Sequence, residues 1–152
     1  MSVNPIPDGY HTVTPYLVVK GAAQAIDFYA RALGATELLR LDGPDGTIMH
    51  AEVRVGESPI MLSDEFPEMG AISPTTLGGA GVSLMVYVAD CDALFAQAIA
   101  AGGEVLRPVA DQFYGDRAGT FKDPYGHVWT IGTHIEDLTP EQIAERAAAM
   151  GD

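Results

Sequence analysis

His50 and Glu52 are separated by one residue in Met49-His50-Ala51-Glu52. In an extended strand, side chains two apart share a face, so this imidazole and carboxylate meet the same ligand. Imidazole changes charge near neutral pH, and a neighbouring carboxylate orients it and tunes its charge. The pair is a candidate for proton transfer, with His50 as general base and Glu52 as its partner. Arg54 follows on the same face. The plainer alternative is a half-wet polar patch in which Glu52 pairs with Arg54 or Arg117.

A second group lies in Asp111-Gln112-Phe113-Tyr114-Gly115-Asp116-Arg117. Phe113 and Tyr114 suit stacking on a flat or cationic ligand, and equally a dimer interface, where aromatics and arginine are enriched. Cys91 opens a helical pattern with no base beside it in sequence, and as the single cysteine it forms no internal disulfide. It reads as a small helix-start residue. His11, His127 and His134 sit near strand ends or turns and are expected in solvent. A phosphate-cradling Gly-rich loop and a Gly-x-Ser-x-Gly elbow are both missing from the sequence.

The elements that hold these residues repeat. Pro15–Gly21 is an apolar strand pattern running into a helical pattern, Ala22–Leu33, closed by Gly34. Leu84–Asp90 is another, followed by a helix over Cys91–Ala101 and Gly102-Gly103. A shift of 69 residues lays Val19 on Val88, Ile26 on Phe95 and Gly34 on Gly103. Ala22, Ile26, Tyr29 and Leu33 recur at helical steps, as do Leu94, Phe95, Ala98 and Ile99. After each helix the period becomes two. Strands are expected over Thr36–Leu41, Thr47–Val55 and Ile60–Ser63, then over Glu104–Val109, Gly119–Lys122 and Val128–Thr133. Each half reads strand, helix, strand, strand, strand. The stretch Phe66–Gly79, with two prolines and three glycines, reads as an exposed connection. Thr139-Pro140-Glu141-Gln142 carries a capping Thr, a Pro at the first helical position and a Gln at the third, which starts a C-terminal helix. Its narrow stripe of Ile143, Ala147 and Met150 is expected against the domain or a partner subunit.

Two copies of such a module resemble the vicinal oxygen chelate superfamily, which includes glyoxalases, extradiol dioxygenases and bleomycin-resistance proteins. The wording is closest to its PhnB-like branch. The matching pieces are Pro15-Tyr16-Leu17 with Ile26-Asp27-Phe28-Tyr29, Met49-His50-Ala51-Glu52, Asp111–Arg117, and Asp123-Pro124-Tyr125-Gly126-His127-Val128-Trp129. The resemblance implies an α+β fold of paired βαβββ modules forming cup-shaped mixed sheets, with helices on the outer side and here a C-terminal helix. It also implies a homodimer. The chain is then one domain, with module 1 over about 12–65, a linker over about 66–80, module 2 over about 81–135 and the tail helix over about 139–150.

Alternation assigns the cup lining. Met49, Ala51, Val53 and Val55 are apolar and should face the helix, which leaves Ile48, His50, Glu52 and Arg54 facing the cup. Thr14, Tyr16 and Val18 point inward from the first strand, and Ser83, Met85 and Tyr87 from its counterpart. Met61 and Ser63, then Val128, Thr130 and Gly132, complete the lining. Such a mixture suits a small organic ligand with a few polar anchors. Trp129 alternates to the helix side as core. The resemblance implies four metal-ligating positions, which carry His, Glu or Gln in metal-dependent members. Residue by residue, they fall here on Thr14, Met61, Ser83 and Thr130. Hydroxyls and a thioether are poor ligands for a divalent ion, so no metal and no other cofactor is expected.

Composition bounds the partners. Lys and Arg number 8 against 21 Asp and Glu, for a net charge of −13. Without a basic stripe a nucleic-acid partner is excluded, and the same field repels anionic lipid. It favours a neutral or cationic small molecule. No apolar run approaches the roughly 20 residues of a membrane span, and the N-terminus has no signal-peptide pattern, so a cytoplasmic location is expected. The expected activity is metal-independent binding or sequestration of a small organic molecule. The alternatives are a lyase or isomerase using His50 and Glu52, and, further off, a glyoxalase-type metalloenzyme.

Overall fold

The computed structural model describes residues 2–151. Among them the chain forms eight strands and four α-helices. The chain divides into two compact units, one ending at Ala80 and the other beginning at Gly81.

In the first unit, β1 (Tyr16–Val19) leads into α1 (Ala22–Leu33), then β2 (Thr36–Asp42), β3 (Ile48–Val55) and β4 (Ser58–Asp64). The strands lie in the order β1-β4-β3-β2, with β1 parallel to β4 and the other neighbours antiparallel. In the second unit, β5 (Ser83–Tyr87) and α3 (Cys91–Ala101) precede β6 (Glu104–Asp111), β7 (Asp116–Lys122) and β8 (Val128–His134). Their order is β5-β8-β7-β6, again with one parallel pair, β5 and β8. Both sheets are mixed and open, as the α+β reading expects. The repeat holds to the residue: Tyr16 lies opposite Met61 and Met85 opposite Thr130, and 69 positions separate both Tyr16 from Met85 and Met61 from Thr130.

One face of each sheet is closed by its helix. Ala22, Ala25, Ile26, Phe28, Tyr29, Ala32 and Leu33 of α1 are buried with Leu17, Val19, Ala51, Val53, Ile60 and Leu62. In the second unit Cys91, Phe95 and Ala98 are buried with Phe121, Trp129 and Ile131. Leu94 and Ile99, expected on that same face, are only half-buried. Each helix start is tied to the last strand of its own module. Asp64 Oδ1 accepts from the backbone N–H of Gly21 and Ala22, while its Oδ2 accepts from Ile48 N–H. Thr133, 69 positions after Asp64, accepts from Cys91 N–H and donates to Val88 C=O. These bonds satisfy amide groups that a helix start leaves without internal partners.

One expectation changes, and two elements gain detail. Ile48 is 1% exposed and Met49 56%, the reverse of the alternation read from sequence. The register between β2 and β3 slips at this point, where Leu41 opposes His50 and Asp42 opposes Ile48. A bulge inserts one residue and inverts the faces before it, so Ile48 joins the core and Met49 turns outward. The largely exposed connection also carries short helical turns: a 3-10 turn over Pro67–Met69 precedes α2 (Pro74–Leu77). Ser73, fully buried, starts α2 and is held by Glu65, which accepts from its N–H and hydroxyl. Last, α4 (Pro140–Met150) has the expected capping box of Thr139 and Gln142, and none of its residues is buried within the single chain, which leaves the stripe for a partner subunit as the open alternative. Arg146 holds it to Glu136 by an ion pair.

Candidate functional site

The sheet face that α1 leaves open carries the first-module residues. Tyr16 lies opposite Met61, Met61 opposite Glu52, and Glu52 opposite Leu39, which makes one row across four strands. His50 opposes Leu41 on the next row. Along the rows the side chains connect. Tyr16 Oη lies 2.9 Å from His50 Nδ1, and His50 Nε2 lies 2.7 Å from Glu52 Oε2. Tyr10 donates from its hydroxyl to Glu52 Oε1. The Tyr16 and His50 rings are tilted with centroids 5.5 Å apart. The result is a chain of phenol, imidazole, carboxylate and phenol. Exposed Leu39, Leu41 and Arg54 and half-buried Met61 surround it. Thr14 is half-buried two residues before Tyr16.

Tyr10 was not legible in the sequence. It belongs to a segment with no periodic signal, and only the path of the chain brings its ring to Glu52. Gly9, next to it, passes near the Arg54 guanidinium. The alternative pairing of Glu52 with Arg54 or Arg117 is replaced by bonds to His50 and Tyr10.

In the second unit, Ser83, Met85 and Tyr87 are exposed on β5. Met85 opposes Thr130, whose hydroxyl lies 2.9 Å from the Thr120 hydroxyl. Tyr87 donates to Asp116 Oδ2 at 2.6 Å. The other Asp116 oxygen faces His134 Nδ1 at 2.8 Å, and His134 Nε2 faces Asp137 at 2.8 Å. Hydrogen bonds to Asp116 and then Asp137 raise the His134 pKa above its ordinary value. The bond to Asp116, with burial and the carboxylate charge, raises that of Tyr87. His134 is exposed, as expected, and is in addition paired with Asp116 and Asp137. The pairing was not legible in sequence, because Asp116 lies 18 residues away.

Arg117 lies elsewhere. Strand β7 begins at Asp116, so Arg117 is a strand residue, and alternation puts it on the α3 side with Gly119 and Phe121. Its guanidinium donates to Asp92 and Asp111. Phe113 and Tyr114 remain in the short loop between β6 and β7, packed edge to face at 5.2 Å. Cys91 starts α3 and is buried, with its thiol 3.3 Å from Arg117 C=O. Trp129 is buried and donates from Nε1 to buried Asp123 at 2.9 Å.

Two open-faced βαβββ sheets related by an internal repeat define a recognisable architecture, and the model of the Glyoxalase/Bleomycin resistance protein/Dioxygenase superfamily matches residues 10–131. The chain belongs to this superfamily. An uncharacterised protein of Mycobacterium tuberculosis is 39% identical over 155 residues, covering 100% of this chain and 89% of the relative. Among solved structures, TioX from Micromonospora is similar with a TM-score of 0.62 and 27% identity, over 85% of this chain and 100% of TioX. A PhnB protein from Bacillus cereus shares the fold, with a TM-score of 0.60 and 22% identity over 81% of this chain and 99% of its own.

The name invites a test for metal. In this superfamily member the four positions implied for ligands hold Thr14, Met61, Ser83 and Thr130, and the Thr130 hydroxyl already bonds to Thr120. Among the described residues no three His, Cys, Asp or Glu side chains are grouped to hold a metal ion. Hard divalent ions want carboxylates and imidazoles, and this donor set does not fit one. No helix is long and apolar enough to cross a membrane.

Proposed function

We propose that this protein binds and sequesters a small neutral or cationic organic molecule on the open sheet faces, without a metal and as a homodimer. The observation that carries the reading is the connected row Tyr16, His50, Glu52 and Tyr10, set among apolar side chains on a face that α1 leaves uncovered. A cluster of fixed polar groups in apolar surroundings is what orients a small ligand. The net charge of −13 favours cations over anions. Ligand contacts in this reading come from Thr14, Tyr16, His50, Glu52, Arg54 and Met61 in the first module. Ser83, Met85, Tyr87, Phe113, Tyr114 and Thr130 supply them in the second, while Arg117 is engaged by Asp92 and Asp111. Leu39, Leu41, Val105 and Leu106 are exposed apolar side chains that a second copy would cover.

The test is a binding survey by amide NMR of neutral and cationic aromatic compounds against matched carboxylates. Cationic or neutral compounds are expected to shift signals of β1, β3 and β4, and His50→Ala to weaken that binding about tenfold without unfolding the chain. Binding by carboxylates alone overturns the reading. A second reading, a lyase or isomerase, is favoured by the 2.7 Å contact of His50 with Glu52. Turnover that His50→Ala abolishes would select it over sequestration.

A further inference from the structure

The polarity of the Tyr16–His50–Glu52 chain follows from its ends. Glu52 as a carboxylate only accepts, and it accepts twice, from the Tyr10 hydroxyl at Oε1 and from His50 Nε2 at Oε2. The proton of a neutral His50 is therefore on Nε2. Its Nδ1 is left as an acceptor, and the 2.9 Å contact there is a bond donated by Tyr16 Oη. Both His50 nitrogens are engaged, so neither is free to hydrogen-bond a ligand, and the ring meets a ligand only by its carbon edge. The group that faces outward is Tyr16, 48% exposed, whose oxygen keeps its lone pairs.

We propose that Tyr16 is the catalytic residue of the first-module face, a general base that takes a proton from a ligand N–H, O–H or activated C–H, with His50 and Glu52 as positioning residues behind it. The proton leaves the ligand for Tyr16 Oη as the phenol proton passes to His50 Nδ1. This leaves an imidazolium held by Glu52, and the reverse transfer returns the proton to the ligand. Phenol, imidazole and carboxylate then stand in the relation of nucleophile, base and orienting group in a catalytic triad. The proposal rests on the second reading, proton transfer to a ligand bound at this face, and names the atom that meets the ligand.

The second module supplies an internal control. Tyr87 is 60% exposed, more than Tyr16, but its hydroxyl donates to the carboxylate of Asp116 and its pKa is raised. A carboxylate is a far weaker base than imidazole at neutral pH, so Tyr87 is not activated. The probe is an aryl sulfonyl fluoride: the phenol oxygen bonds to sulfur, the S–F bond breaks, fluoride leaves and the phenol proton goes to the neighbouring base. Site-resolved labelling of the full chain by mass spectrometry compares its six tyrosines.

Tyr16 is expected to label about a hundredfold faster than Tyr87. His50→Gln should remove the excess rate. Labelling in order of exposure, Tyr87 first, overturns the proposal, as does a Tyr16 rate unchanged in His50→Gln. If His50→Gln does not fold, ¹⁵N chemical shifts of the wild-type His50 ring decide: an Nε2–H tautomer supports the relay and an Nδ1–H tautomer overturns it. Fast Tyr16 labelling that no bound compound blocks keeps the relay and sinks binding at this face. Blocking by a compound at a Tyr16 of ordinary rate does the opposite.

Discussion

Asp123 and His134 show what one side chain decides. Asp123 is buried and accepts hydrogen bonds from Tyr125 N–H, His127 N–H and Trp129 Nε1. Asp123→Ala leaves the buried indole donor without its acceptor and loosens the turn into β8. An expected loss of about 3 kcal/mol is measurable by urea unfolding. His134 works through charge. Two carboxylates raise its pKa, so folding favours the imidazolium. The stability this adds is fully present below the ordinary histidine value and fades as pH rises through the raised one. The gap in stability between wild type and His134→Gln should therefore be widest near pH ~6, where the carboxylates are ionised, and shrink on the alkaline side. A gap that widens with pH contradicts the pairing.

At the scale of elements, the two helix starts solve one problem with different residues. Gly21, which precedes α1, has no side chain to cap it, and Asp64 reaches across from the end of β4 to take the N–H groups of Gly21 and Ala22. At α3 the cap is Asp90, which accepts from Ala93 N–H, and Thr133 adds the bond to Cys91. Asp64→Ala should therefore lower stability by about 2 kcal/mol and Thr133→Val by about 1 kcal/mol, by chemical denaturation of the full chain. Equal losses would mean that the local cap at Asp90 contributes nothing. Gly115 constrains the loop that presents Phe113 and Tyr114. Its φ is +96°, and a Cβ there would lie 2.5 Å from Glu136 C=O, so Gly115→Ala should displace the loop and raise its amide exchange.

At the scale of the whole molecule, the exposed apolar residues and the charge belong together. Strand β2 is exposed along its length and carries Leu38, Leu39 and Leu41, while β6 carries Val105 and Leu106. In the proposed dimer a second copy takes these strands out of water, while the net charge of −13 opposes further association. Leu41→Glu is expected to shift sedimentation from dimer to monomer and to weaken ligand binding with it. A wild-type monomer at micromolar concentration would contradict the proposed assembly. Elemental analysis of the purified protein is expected to find no stoichiometric metal; one metal per subunit would contradict the reading of Thr14, Met61, Ser83 and Thr130.

The repeat, both helices of the modules, the strand order along the chain and the capped tail helix were all legible in the sequence, because they depend on periodicity and local backbone chemistry. The shared face of His50 and Glu52 was legible for the same reason. Tertiary structure decided everything that depends on separation along the chain. Tyr10 meets Glu52 from 42 residues away, Asp116 meets His134 from 18, and Asp64 reaches Gly21 from 43. Alternation also failed where a bulge moved the register, which buried Ile48 and turned Met49 outward. A sequence pattern specifies which way a strand residue points only while the ladder is unbroken, and it carries no term for the neighbour that folding brings to that side chain.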